Sequence, residues 1–346
     1  MESEIKEDFM IIQCVEEIQP NELEVLREQI KEFGLKVTEV TTQIGRYLIA
    51  LGNYEIDIRR IGSLAGVKDV HRVSDAYKLV SRKWKVTPTM IDLGDDVKIG
   101  DGKFALMLGP CSLESAEQIS SIAEFLNENG VRIMRGGAFK PRTSPYAFRG
   151  LGIEGLKMFS EIARPLGIKL TTEIMDASQI EAMYPYVDVF QVGTRNAQNF
   201  TLLDELGKID KPILLKRGMS GTIEDLLQAA EYIFMNGNER ILLCERGIRT
   251  FEKAYRNTLD INAIPVLKEK THLPVIIDPS HGIGIRRHVE ALALAGLVAG
   301  ADGAIIEIHQ TPEKAASDGA QTLDFSETKQ LIRKARAIQE SLEKWN

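Results

Sequence analysis

The chain is poor in cysteine, in tryptophan and in long apolar runs. Its three cysteines, Cys14, Cys111 and Cys244, are odd in number and far apart in 346 residues, which argues against a disulfide framework and for a reducing compartment. The longest apolar stretch, Ala291–Ala301, falls short of the roughly 20 residues that a spanning helix needs and runs into Asp302, so no membrane segment is expected. The acidic start MESEIKEDF lacks an apolar core, so no secretory leader is expected and the location read from it is cytoplasmic. An excess of positive charge is missing too: 43 basic against 50 acidic residues leave a net charge of −7, which speaks against a nucleic-acid-binding surface. No Walker G-x-x-x-x-G-K-[ST] sequence is present, and no G-x-G-x-x-G turn follows the first apolar run of the C-terminal part, which speaks against the commonest nucleotide-binding devices.

What is present is the balance of a globular enzyme, with 44% hydrophobic and 27% charged residues and room for two domains. Residues 1–80 carry most of the net charge, with 10 basic and 15 acidic residues. Their pattern of an apolar run at 9–15, an amphipathic helix opened by Pro20-Asn21 and stopped by Gly34, strands near 35–40 and 45–51, a short helix near 56–64 and a strand at 67–73 follows a βαββαβ order. That order predicts a small ferredoxin-like (ACT-like) α+β domain of the kind that often binds regulatory ligands. Residues 81–89 have no periodicity and read as a linker, and 90–104, with turn signals at Gly94 and Gly100, read as a hairpin. From residue 104, eight short apolar runs (104–108, 131–135, 168–172, 187–192, 212–216, 240–245, 274–278 and 303–307) alternate with helical patterns, ending in an amphipathic helix over 325–344. Eight buried strands with crossover helices predict a (β/α)8 TIM barrel over 90–346 rather than a doubly wound open sheet.

Barrel active sites lie at the C-terminal ends of the strands. Every predicted strand here delivers a charged or metal-binding residue to that rim. The basic members are Arg135, Lys140, Arg142, Arg195, Lys216 and Arg246. Uncompensated cations converging in one place imply anionic ligands, and arginine's planar fork suits carboxylate and phosphate. One or two of the six are expected to pair with carboxylates around the rim instead. Cys111, His281, Glu307 and Asp318 are the candidate metal ligands, a donor set suited to a divalent ion of borderline softness such as Mn2+, Fe2+ or Zn2+. Closure of strand eight onto strand one would bring the first three together, although spacing alone leaves Cys111 open between ligand and inert core thiol. His272 and His288 are expected to face solvent, and His71 and His309 to be structural. Cys14 and Cys244 are expected in the core.

The blocks GPCSLES (109–115), RGGAFKPRTSPYAFRG (135–150), QVGTRNAQN (191–199), LLKRGMSGTIEDLL (214–227), LCERGIRTFEKAYRNTLD (243–260), IDPSHGIGIRR (277–287) and EIHQTPEKAASDGAQTL (307–323) resemble the 3-deoxy-D-arabino-heptulosonate 7-phosphate (DAHP) synthase family. The resemblance extends to its relatives, the 3-deoxy-D-manno-octulosonate 8-phosphate synthases. KPRTSP is the DAHP synthase form; the relatives typically carry an Asn-Arg pair at Pro141-Arg142. The resemblance implies condensation of phosphoenolpyruvate with erythrose 4-phosphate, releasing phosphate, as the first step of aromatic amino-acid synthesis. It assigns Cys111, His281, Glu307 and Asp318 to one divalent metal ion. Arg135, Lys140, Arg195, Lys216 and Arg246 fall to phosphoenolpyruvate, and Arg142 and Thr143 to erythrose 4-phosphate. It further implies a homotetramer and feedback by an aromatic amino-acid effector through the N-terminal domain.

A charge count agrees with two anionic substrates held together. Phosphoenolpyruvate and erythrose 4-phosphate bring about −5 in total near neutral pH, close to the charge of six basic residues and a metal with its anionic ligands. In the mechanism expected from these groups, the metal polarises the aldehyde, Lys140 protonates the developing alkoxide, and Glu173 positions or deprotonates the water. Three rivals stay open at this point. They are the octulosonate synthase reaction on arabinose 5-phosphate, a Schiff-base aldolase using Lys216, and a non-catalytic sensor of phosphorylated metabolites.

Overall fold

The computed structural model describes residues 8–52, 56–140, 146 and 148–344. The N-terminal unit consists of β1 (Asp8–Cys14), α1 (Pro20–Glu32), β2 (Lys36–Thr41), β3 (Arg46–Gly52), α2 (Ile58–Gly62) and β4 (Val67–Val73). Its sheet is antiparallel in the order β2-β3-β1-β4, the ferredoxin-like arrangement read from the sequence. Pro20 opens α1 behind a Gln19–Glu22 capping box, and the helix stops at Gly34, whose φ of 79° suits glycine. Side chains alternate across a strand, so β1 feeds two cores. Met10 and Ile12 pack with Leu26, Ile30 and Leu48 beneath the helices. Ile11 faces the other way and joins Val40, Tyr47 and Ile49 in the core that continues into the barrel. That double burial explains why β1 reads as one continuous apolar run.

The next residues form a hairpin, β5 (Ile91–Asp92) with β6 (Lys98–Ile99). The barrel follows as β7 (Ala105–Gly109), α3 (Ala116–Glu128), β8 (Ile133–Arg135), α4 (Gly152–Ala163), β9 (Lys169–Ile174), α5 (Ile180–Met183), β10 (Val189–Val192), α6 (Phe200–Gly207), β11 (Ile213–Lys216), α7 (Ile223–Met235), β12 (Ile241–Glu245), α8 (Ala263–Lys270), β13 (Val275–Ile277), α9 (Pro279–Ile283), α10 (Arg286–Val298), β14 (Gly303–Glu307) and α11 (Phe325–Glu343). Strands β7 to β14 are parallel and closed in sequence order, β14 pairing with β7 from Gly303–Ala105 to Glu307–Gly109. The interior is an apolar layer of Met107, Ile133, Val189, Leu214, Leu242 and Ile276, packed at the N-terminal end against Ile91, Val97 and Ile99 of the hairpin. Among the described residues, no helix is long and apolar enough to cross a membrane.

Residues 81–89 lie along the barrel rather than away from it. Ser81 bridges to Thr271, Arg82 N donates to Lys270 O (2.9 Å), and buried Trp84 donates from Nε1 to Leu79 O (2.8 Å). His272 departs from its expected solvent-facing position. It is 1% exposed, with Nδ1 at 2.7 Å from Thr89 Oγ1 and Nε2 at 2.8 Å from Leu79 O, edge-on to Trp84 and Phe234. Burial pushes its pKa down to about 3, so it is a neutral core histidine. Its partners, Thr89 in the linker and Leu79 just before it, lie nearly two hundred positions away, where no local pattern announces them. His288 is exposed, His71 is half-buried beside Asp69, and Cys14 and Cys244 are core residues.

The N-terminal unit is anchored to the barrel by buried carboxylates. Glu239, fully buried before β12, accepts from Thr42 Oγ1, from Lys85 Nζ (3.2 Å) and from Tyr47 OH (3.5 Å). Glu231 on α7 accepts the Leu79 and Val80 amides at 2.8 and 3.1 Å.

Candidate active site

The C-terminal ends of the strands surround a cavity of about 310 Å3. Arg135, Lys140, Glu173, Arg195, Lys216, Arg246, His281 and Asp318 line it, so eight of the sequence-predicted side chains share one space. Cys111 and Glu307 lie at its floor against Asp318 and Arg135. Arg142 and Thr143 lie outside the described residues.

Two glycines allow the close approaches. A Cβ on Gly137 would stand 2.6 Å from Lys140 Cδ and 2.8 Å from Cys111 O, in the space that lets Lys140 fold back and donate to Cys111 O at 2.8 Å. A Cβ on Gly193 would stand 1.9 Å from Glu173 Oε1, so only glycine leaves that carboxylate its place.

The floor is a compact cluster of metal-binding groups. Donor atoms of Cys111, Glu307 and Asp318 lie within 4.8 Å of one another. Ligands held at about 2.0–2.3 Å from one ion stand roughly 3–4.5 Å apart, so the three are close to ligand spacing. Cys111 Sγ donates to Asp318 Oδ2 (3.0 Å) and accepts from Ser317 Oγ (2.8 Å). Burial first, then the nearby Glu307 carboxylate, pushes this thiol up to about 12. A divalent cation among these groups reverses that preference and favours the thiolate. His281 stands beside the three, its Nε2 3.4 Å from Glu307 Oε1. Its Nδ1 donates to Asp278 Oδ2 at 2.8 Å, which leaves Nε2 as the edge turned toward the cluster. Burial pushes Glu307 up, but His281 and Arg135 more than offset it and hold the carboxyl below its usual range. Asp278 lies well below its usual range, because His281 and Lys216 outweigh its burial. The donor set and spacing therefore fit one divalent ion.

The cations divide into two kinds. Arg135 donates from Nη1 to Glu307 Oε1 (3.0 Å) and Pro110 O (2.8 Å), and Lys216 donates to Asp278 Oδ2 at 2.5 Å. These two are therefore compensated, by carboxylates at the strand ends, and an amine nucleophile at Lys216 would first have to leave that ion pair. Arg195 and Arg246 have no carboxylate partner among the described residues. Arg246 is 4% exposed, and among the described residues its guanidinium donates to Gly247 O alone, at 3.3 Å. Burial lowers its pKa, and Asp278 only partly opposes this. Arg135 Nε is likewise buried without a partner. Buried guanidinium groups left unpaired in a cavity are a standing cost that an anionic ligand removes.

Sequence reasoning missed Arg249, Arg256 and Asn257, which line the same cavity, and Gln321. Arg249 has no carboxylate partner among the described residues. Arg256 Nη1 donates to Gln321 Oε1 (2.7 Å), while Gln321 Nε2 donates to Glu307 Oε2 (2.6 Å), so an amide fixes the Glu307 carboxylate. The available signal was the run of arginines after β12, but which of them turn inward depends on the loop path. His309 is buried, with Nδ1 accepting from Thr311 N (2.9 Å), and takes no place in the cavity lining.

Comparison with known proteins finds matches across this barrel. The profile of the DAHP synthetase I family matches residues 79–344. A phospho-2-dehydro-3-deoxyheptonate aldolase from Thermotoga maritima is 50% identical over 280 residues, covering 81% of this chain and 82% of that protein. A 2-dehydro-3-deoxyphosphooctonate aldolase from Syntrophobacter fumaroxidans is 32% identical over 255 residues, covering 68% and 87% respectively. The crystal structure of a Thermotoga maritima DAHP synthase superposes with a TM-score of 0.77 at 44% identity, over 96% of this chain and 98% of that one. A truncated form of the Thermotoga maritima enzyme superposes at 0.72 with 47% identity, over 77% and 97%.

Proposed function

This chain belongs to the DAHP synthetase I family, and we propose that it is a transferase condensing phosphoenolpyruvate with erythrose 4-phosphate to DAHP and inorganic phosphate. The observation that carries the reading is the juxtaposition of unpaired guanidinium groups with a thiol–carboxylate–imidazole cluster in one cavity. Phosphate and carboxylate groups fit the first, and a carbonyl needing polarisation fits the second.

In this reading, Arg135, Lys140, Arg195, Lys216 and Arg246 bind phosphoenolpyruvate, and Arg142 and Thr143 bind erythrose 4-phosphate. Cys111, His281, Glu307 and Asp318 would hold a divalent ion, which supplies Lewis-acid polarisation of the aldehyde. C3 of phosphoenolpyruvate then attacks the aldehyde carbon, water adds at C2, and phosphate leaves with cleavage of the C2–O bond. Lys140, folded over the floor through Cys111 O, delivers the proton to the developing alkoxide. Glu173, held in the space beside Gly193, orients the water or takes its proton. The same reading carries aromatic amino-acid feedback through the N-terminal unit, a homotetramer and a cytoplasmic location, all drawn from family likeness.

Phosphate release tests it. Chelated protein should be inactive and folded, and added Mn2+ or Zn2+ should restore turnover with erythrose 4-phosphate. Full activity after chelation refutes the metal role, and faster turnover with arabinose 5-phosphate makes the chain an octulosonate synthase.

A further inference from the structure

We propose that Asp278 is a positioning residue that ties the metal end of the site to its anion end through a single carboxylate oxygen. The proposal rests on the reading above for the identity of the two ends. Asp278 is 1% exposed at the end of β13, and its amide donates to Glu245 O (2.8 Å), so its own position is set by the neighbouring strand. Its Oδ1 caps α9 by accepting from His281 N (3.0 Å). Its Oδ2 receives both the His281 imidazole (2.8 Å) and the Lys216 ammonium (2.5 Å). The two donors reach one atom from different elements, Lys216 from the end of β11 and His281 from α9. His281 turns Nε2 toward Glu307, and Lys216 lines the anion cavity.

Removing the charge has two consequences at once. The imidazole loses the acceptor that fixes its ring and its protonated nitrogen. Lys216 becomes one more uncompensated cation in a cavity that already holds Arg195, Arg246 and Arg249. Asparagine, although isosteric, cannot rescue both roles. Its NH2 turned toward the two donors would oppose donors to a donor, and turned the other way it would leave His281 N without an acceptor.

The experiment uses the full chain, stripped of metal, with two binding readouts. Zn2+ affinity is measured by competition with a chromophoric chelator, and phosphoenolpyruvate affinity by calorimetry. Asp278→Asn should weaken Zn2+ by about 10–100-fold and also weaken phosphoenolpyruvate by about tenfold or more. His281→Ala should weaken Zn2+ alone, and Lys216→Met phosphoenolpyruvate alone. In the His281→Ala background, Asp278→Asn should cost no further Zn2+ affinity. If the Asn variant does not fold, Asp278→Glu, which keeps the charge but moves the oxygens by one methylene, must weaken both ligands together. A folded Asp278 variant that changes one affinity and not the other overturns the proposal. Wild-type protein that takes up neither ligand removes the reading of the site itself.

Discussion

Arg217 and Arg246 follow adjacent strands and are buried alike, at 5% and 4% exposure, yet their removal should move stability in opposite directions. Arg217 Nη1 is held by Glu245 Oε2 (2.9 Å) and Asp260 Oδ2 (3.0 Å), and Nε donates to Gly221 O (2.9 Å). Those partners outweigh its burial and raise its pKa, whereas burial lowers that of Arg246. Arg217→Met leaves two carboxylates facing each other in a buried site, a loss of about 3–5 kcal/mol. With each kcal/mol worth about 2–4 °C for a barrel of this size, melting should fall on the order of 10 °C. Arg246→Met deletes a charge that lacks a counterion in the free protein, so melting should stay level or rise by a few degrees. The same change removes a charged donor from the cavity, worth about 1.5–3 kcal/mol to a bound anion. Phosphoenolpyruvate affinity should therefore drop by about 10–150-fold. Thermal melts in phosphate-free buffer and calorimetric titrations separate the two effects. If Arg246→Met melts as low as Arg217→Met, the guanidinium is holding the fold and is not kept in reserve for a ligand.

Three further outcomes follow from particular contacts. Gly193→Ala places a Cβ 1.9 Å from Glu173 Oε1 and must expel that carboxylate from its place, so steady-state turnover should fall at least about tenfold with unchanged circular dichroism; full activity removes Glu173 from the mechanism. The depressed pKa of His272 means that the unfolded chain takes up a proton below about 6.5, while the folded one does not until about 3. Stability should therefore fall as pH drops through that window, by about 2 kcal/mol at pH 5 and about 4 at pH 3. His272→Asn should flatten the slope between pH 7 and 5, and an unchanged slope places the acid sensitivity elsewhere. Glu239→Ala takes the carboxylate acceptor from Tyr47 OH and Lys85 Nζ, at about 1–3 kcal/mol each where buried, and should speed amide hydrogen exchange in the β2–β3 turn; unaltered exchange there denies Glu239 its anchoring role.

The barrel was legible in the sequence because parallel strands covered on both faces read as short continuous apolar runs, and six of the eight runs end in a polar residue. All eight runs overlap the observed strands, and the last, Gly303–Glu307, coincides with β14. The ferredoxin-like unit was legible for the complementary reason. Its strands and helices are punctuated by Pro20, Gly34 and Gly45, each at an element boundary. His272 was not legible, since its partners, Leu79 and Thr89, lie nearly two hundred positions away at the two ends of a segment without periodicity. Arg249 and Arg256 were hidden in a loop whose local sequence does not distinguish inward from outward.

The amino-acid sequence alone determined which residue types reach the rim, because strand order and strand ends are local properties of the chain. It did not decide which of those residues neutralise one another. Lys216 and Arg217 are neighbours, but successive side chains on a strand point to opposite faces, so one meets Asp278 in the cavity and the other meets Glu245 and Asp260 away from it. Charge pairing falls off within a few ångströms, and the partners here lie 28 to 62 positions apart. Only closure of the barrel brings them within reach, and among the described residues it leaves Arg195, Arg246 and Arg249 in the cavity without a carboxylate partner.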